Sequence, residues 1–467
     1  FQQVDVAQLR AYVDLSNWGV EVRSGRGALR AWADVARGQI AGTTADLALQ
    51  GVAVQLGPQL PDLVLDALEG RLAAQWDDRG FGLTTHNLRF RTGEGAEWPG
   101  GVVYLKHTTG EGQRPATLAL TADQLDLAAL TAIATRLPLT TATHSLLATL
   151  QPAGRVEGLS ASWQGAKPSP SAPDAPTPDW RGGDYQAKGR IVGLALTGEP
   201  SGRLSASGLY PLPGRPGIAG ATVDFDLTRD GGRAKLVIDN GAIDLPGVFD
   251  EARLPLTRLD ADASWRIEGE RIEVDVKAAR LANADAEGTA QLRWHTSDAT
   301  RSASGSRFPG VLDLTATLSR ADATRVHRYL PLTIGTQARR YVREAVRGGS
   351  ASRVDFQLQG DIYDMPFDAP GATGVFRIGA QLQGLDFNYV PTYLQTPDDV
   401  AWPGLRGMAG ELVLDRTALK LSGLQGGLEA APNVRLSQAD IRIDDLAQTS
   451  TLVVNARAQG PAGEVLG

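Results

Sequence analysis

Asp260 and Asp262 in RLDADASW and Asp285 in ANADAEG are carboxylates from which an acid–base pair could be drawn. Such a pair works when its surroundings split the two pKa values, so that one group keeps a proton while the other stays ionised. All three sit in hairpin contexts, where aspartate favours turns by hydrogen-bonding the local backbone. The histidines are His86, His107, His144, His295 and His327; they stand singly, and the chain contains no cysteine. Neither a Cys/His zinc site nor a disulfide can be assembled from these residues. GEGAEWPGG at 93–101 is glycine-rich, but it lacks the Lys-Ser/Thr of a phosphate loop and reads as a turn. No nucleophile elbow, H-E-x-x-H or EF-hand loop is present. Trp163, Trp265 and Trp294 lie in strand-like runs, where packing accounts for them better than sugar stacking. The expectation is a protein that binds with its surfaces, with no catalytic residues, metal or cofactor.

With 42% hydrophobic and 21% charged residues, the 467-residue chain falls outside the disordered class. A net charge of -7 gives no electrostatic footprint for nucleic acid. No run of 18 uncharged apolar residues occurs that could span a bilayer as a helix. The chain opens at Phe1 and stops at Gly467 without a signal peptide, and a piece of a longer protein is expected.

The elements that must position any binding surface are strands. RIEGERIEVDVKAARLANADAEGTAQLRW alternates with period two between turn residues: Ile272, Val274 and Val276 face one way, and Glu273, Asp275 and Lys277 the other. The same grammar recurs every 10 to 15 residues, without the intervening helices that parallel crossovers need. The fold class is therefore mainly β, an elongated, twisted and curled, largely antiparallel sheet. Its apolar face carries Val223, Phe225, Leu227, Ile272, Val274, Val276, Leu312, Leu314, Leu318, Val354, Phe356, Leu358, Phe376, Ile378 and Leu382. A Pro/Ser-rich loop or linker at 166–179 divides a section 1–165 from a section 180–467.

Two short helical insertions, about 123–150 and 322–347, interrupt the strands. The second contains RYLPLTIGTQARRYVREAVRGG, in which Ile334, Ala338, Tyr341, Val342 and Val346 form one apolar stripe. Arg339, Arg340, Arg343 and Arg347 fall mainly outside the stripe and are expected at solvent, with Gly348-Gly349 ending the helix. LPLT occurs in both insertions, at Leu137 and at Leu330, each time followed by a helix, a glycine and a strand. The insertion is thus a unit used twice.

WPGGVVYLKH (98–107), the two LPLT units and VAWPGLRGMAGELVLD (400–415), in that order, resemble the AsmA-like envelope proteins, specifically the YhdP subgroup. The resemblance implies a Gram-negative envelope protein, anchored in the inner membrane by an N-terminal helix absent from this chain and reaching through the periplasm. It implies a bridge-like lipid transfer architecture, whose apolar β-groove carries phospholipid toward the outer membrane or its proteins. The fifteen apolar residues would then line the groove, the stripe would cover its mouth, and the four arginines would meet headgroups.

Periodicity alone leaves alternatives open, because an apolar face can line a groove or close on a second sheet as a non-catalytic scaffold. A polysaccharide-acting enzyme would need acidic and basic side chains gathered at a short fixed repeat, and no repeat shorter than the LPLT echo is found.

Overall fold

The computed structural model describes the chain except residues 1–3, 7–19, 113, 140, 166–182, 205–207, 209, 396–402, 447–450 and 466–467. The expected linker at 166–179 lies outside the described residues. The chain is mainly β and divides into two compact units, one of residues 1–197 with 218–234, the other of 198–217 with 235–467.

In the first unit an antiparallel meander runs through β1 (Val4–Asp5), β2 (Glu21–Ala36), β3 (Gln39–Gln55), β4 (Leu63–Asp77), β5 (Gly80–Thr92), β6 (Glu97–Trp98), β7 (Val102–Thr108), β8 (Thr117–Asp126), β9 (Ala153–Gln164), β10 (Asp184–Leu196) and β11 (Gly217–Thr228). Strand β12 (Gly231–Asp244) lies mostly in the second unit. There β13 (Arg253–Glu268), β14 (Arg271–Ala282), β15 (Ala286–His295), β16 (Val311–Asp322), β17 (Val346–Asp361), β18 (Val375–Phe387), β19 (Leu405–Asp415), β20 (Ala418–Leu428), β21 (Arg435–Ile443) and β22 (Leu452–Gln459) pair in sequence, each antiparallel to the next. Hairpin connections of this kind are what alternating patterns between turn residues produce.

Each unit carries one helical insertion between consecutive strands. In the first, Asp126 ends β8 and its carboxylate accepts the Ala129 amide at 2.8 Å, capping α1 (Leu127–Ile133). A 3-10 turn (Ala134–Arg136) and α2 (Thr141–Leu150) then lead into β9. In the second, Asp322 ends β16 and caps a 3-10 helix (Ala323–Tyr329), accepting the Thr324 amide at 2.9 Å; α3 (Thr336–Ala345) follows. The LPLT echo is therefore one design, in which a strand-ending aspartate, a run of short helical segments and a returning strand recur.

The second helix is shorter than its sequence suggests. It stops at Ala345, whose carbonyl accepts from Asn388 N at 2.7 Å, and Val346 already pairs with Phe387 in the sheet. Val346 and Arg347 thus belong to β17, and Gly348-Gly349 are strand residues rather than a helix cap. Gly349 (φ +105°) lies so close to β18 that a Cβ there would come 2.6 Å from the Leu385 Cα.

Candidate functional site

Antiparallel partners that stand opposite point to the same face, so register shows which side chains meet. In the second unit, Ala263, Val276, Leu292, Leu314, Leu358 and Phe376 are successive partners from β13 to β18. A second row runs Ala316, Phe356, Ile378, Leu414, Leu419, Ile443 and Leu452 from β16 to β22. A third runs Leu318, Val354, Ala380, Leu412, Leu421, Ile441 and Val454. Ile272, Val274, Leu312 and Leu382 continue these rows along their strands. The twelve expected residues of this unit therefore share one face.

Val223, Phe225 and Leu227 belong to the first unit, opposite Ile191, Gly189 and Ala187. Leu227 and Ala187 extend an apolar row through Ala161, Leu120, Leu105, Leu83 and Ala74. Apolar residues outside the expected set, among them Leu105, Leu120, Leu292, Leu412 and Leu421, complete the two faces.

These faces are not sealed. Of the fifteen expected residues, Leu358 at 6% and Leu382 at 8% exposure are buried, and the other thirteen are half-buried. Within each unit the strands belong to one antiparallel, open curled sheet, and the nearest backbone neighbours of each described strand are those beside it in the ladder. The opposite face carries charge in cross-strand pairs: Arg71 with Asp46, Arg190 with Asp224, Arg293 with Asp275, and Arg377 with Asp415. Exposed pairs of this kind contribute little each and mainly keep that face wetted. Asp46 is held below the usual carboxylate range by its hydrogen bonds from Arg71, and Asp355 by Arg353.

The helical insertions cover one set of strand ends. Ile133 of α1 packs in a cluster with Leu49 and Val52 of β3 and Leu63 and Leu65 of β4, with Phe90 and Leu137 beside them. The insertion leaves β8 and so reaches back past β7 and β5. In the second unit the 3-10 helix leaves β16 and reaches the β12–β13 connection: Tyr329 stacks edge-on against Phe249, and Leu332 N donates to Val248 O at 2.8 Å. Arg328 donates to Asp285 Oδ2 at 2.5 Å and to Glu251 Oε2 at 2.7 Å, and the Tyr329 hydroxyl donates to Asp285 at 2.9 Å. Burial pushes the Tyr329 hydroxyl above its usual pKa. Two of the three candidate carboxylates are thus engaged by arginine or tyrosine: Asp285 as described, and Asp260 by Arg258 at 2.5 Å.

Helix α3 departs from expectation at two residues. Arg339 is buried at 8% exposure, with its guanidinium against Asp250 and its Nε donating to Ile334 O at 2.9 Å, so it is not at solvent. Ala338, expected in the apolar stripe, is exposed. Replacing the solvent by Asp250, from a connection far away in sequence, reverses the two positions. Ile334, Tyr341, Val342 and Val346 are half-buried; Tyr341 donates to Tyr389 O at 3.1 Å and meets Phe387 edge-on. Arg340, Arg343 and Arg347 are exposed, and Arg340 pairs with Glu344 and lies 4.0 Å over the Tyr393 ring.

Among the described residues no helix is long and apolar enough to cross a membrane. No curated protein and no solved structure matches the chain. A family model described as YhdP protein matches residues 2–467. That match spans almost the whole sequence, and the chain belongs to the YhdP family of envelope proteins.

Proposed function

We propose that this chain is a section of a periplasm-spanning lipid conduit, the periplasmic portion of an inner-membrane-anchored protein that passes glycerophospholipid toward the outer membrane. The observation that carries the reading is the partly exposed apolar face, aligned in register from strand to strand and backed by a face of ion pairs. A scaffold with a closed core would bury such rows, because apolar side chains left at water forgo about 25 cal/mol for each Å². A diacyl lipid has on the order of 30 methylenes; at about 0.8 kcal/mol each, carrying it through water uncovered costs on the order of 25 kcal/mol. A continuous apolar track removes that barrier without chemistry. Family membership supports the lipid as its cargo.

The test is the lipid content of the purified protein, extracted and quantified by mass spectrometry. Diacyl phospholipid should be recovered from the wild type, and Leu314→Glu with Phe356→Glu should lose most of it while the fold, read by circular dichroism, persists. Equal lipid in wild type and the folded double variant would refute the reading.

A further inference from the structure

The two sets of strand ends differ in chemistry. Where the helical insertions lie, aromatic rings such as Tyr329 and Tyr341 are engaged by neighbouring segments. At the opposite strand ends of the first unit, on the apolar face, Trp76, Phe81, His107, Leu118, Trp163 and Tyr185 are successive cross-strand partners. Phe81 is 40% and Tyr185 39% exposed, the other four are half-buried, and Phe81 stacks on His107 at 5.3 Å. Among the described residues no helix covers this lip. The second unit repeats the arrangement with Trp265, Val274, Trp294 and Leu312 in register. There Phe308 stacks on Trp294 at 6.1 Å, and the Trp294 indole donates to Pro309 O at 2.9 Å.

Rings with an apolar body and a polar edge settle where hydrocarbon meets water, as indole and phenol do at membrane interfaces. From Trp163 to Val156, which stands near the helical end of β9, is seven residues. At about 3.3 Å each that is roughly 23 Å of apolar floor, enough for the ~15 Å depth of one leaflet of acyl chain.

Resting on the lipid reading above, we propose that this aromatic lip holds the glycerol–ester region of a diacyl lipid. The chains run along the strands toward the helical lip, and the headgroup projects past the Trp–His–Tyr row into water. The two lips then have separate roles: the helical one closes the floor, and the aromatic one sets lipid polarity.

The absence of cysteine makes the test clean, since a single cysteine carries a single fluorophore. In the full chain, Phe81→Cys and Tyr185→Cys report the aromatic lip, Leu146→Cys on the exposed face of α2 the helical lip, and Leu105→Cys the floor. Each labelled protein is loaded from phosphatidylcholine vesicles doped with lipid carrying a nitroxide on the choline or near the chain end. The headgroup nitroxide should quench the label at 81 and 185 and leave 146 nearly unchanged; the chain-end nitroxide should quench 105. Headgroup quenching at 146 equal to that at 81 and 185, with 105 still quenched by the chain-end label, overturns the lip assignment and leaves the conduit intact. No quenching at 105 by either lipid overturns the conduit reading itself. As a second readout, Trp163→Leu with Tyr185→Leu should keep the lipid load but even out headgroup quenching between 81 and 146; an unchanged asymmetry contradicts the role given to the rings.

Discussion

Asp285 is the polar residue on which the second helical insertion hangs, being 5% exposed and bonded by Arg328 and Tyr329 together. Removing one partner of a buried ion pair leaves the other uncompensated, at a cost of about 3 kcal/mol. Arg328→Ala should therefore lower the thermal midpoint clearly, and Arg339→Ala should lower it too, by removing a buried side chain and its hydrogen bond to the Ile334 carbonyl, Asp250 itself staying solvated. Arg343→Ala, at an exposed position, should shift it within the ~0.5 kcal/mol typical of surface changes. Equal midpoints for Arg339→Ala and Arg343→Ala would contradict the burial described for Arg339. The outer-face carboxylates give a pH signature. Asp46 and Asp355 have folded pKa values depressed by Arg71 and Arg353, so their contribution is present above the ordinary carboxylate pKa of ~4 and is lost as pH falls through the lower folded value. Stability should be flat from neutral pH down to about 5 and decline below about 4.

At the scale of elements, the strands and both insertions were legible, because period two and the LPLT echo are local. The aspartate cap that opens each insertion is local as well. What was not legible depended on distant partners. Arg339 reads as a solvent residue until Asp250 is placed beside it, and the helix reads through to Arg347 until Phe387 claims Val346 for the sheet. The aromatic lip was hidden for the same reason: Trp76, His107, Trp163 and Tyr185 are far apart in sequence, and only register lines them up. One signal could have pointed to it, the recurrence of a ring close to alternate hairpin turns. Helix α3 has 10 residues, too few to be stable alone, and depends on the surface it buries. Tyr341→Asp with Val342→Asp should release the insertion, raising amide exchange across 323–345 and 385–394 while β20 and β21 stay protected. Unchanged exchange there would show that the stripe does not hold the helix to the sheet.

The account of the whole molecule turns on what occupies the apolar face. Period two is the same for a groove and for a dry sandwich, so the sequence could not decide; the partial exposure of thirteen of the fifteen residues supports the groove. The most direct measurement is site-specific photo-crosslinking to radiolabelled phospholipid in cells, with a photoreactive amino acid placed at Phe356 or Ile378 on the apolar face, and at Gln357 or Arg377 on the charged one. Because neighbours along a strand point oppositely, each comparison moves the probe by one residue and changes only the face. The account predicts lipid adducts at 356 and 378 and none above background at 357 and 377. Adducts confined to 357 and 377, or none at any of the four, would contradict it.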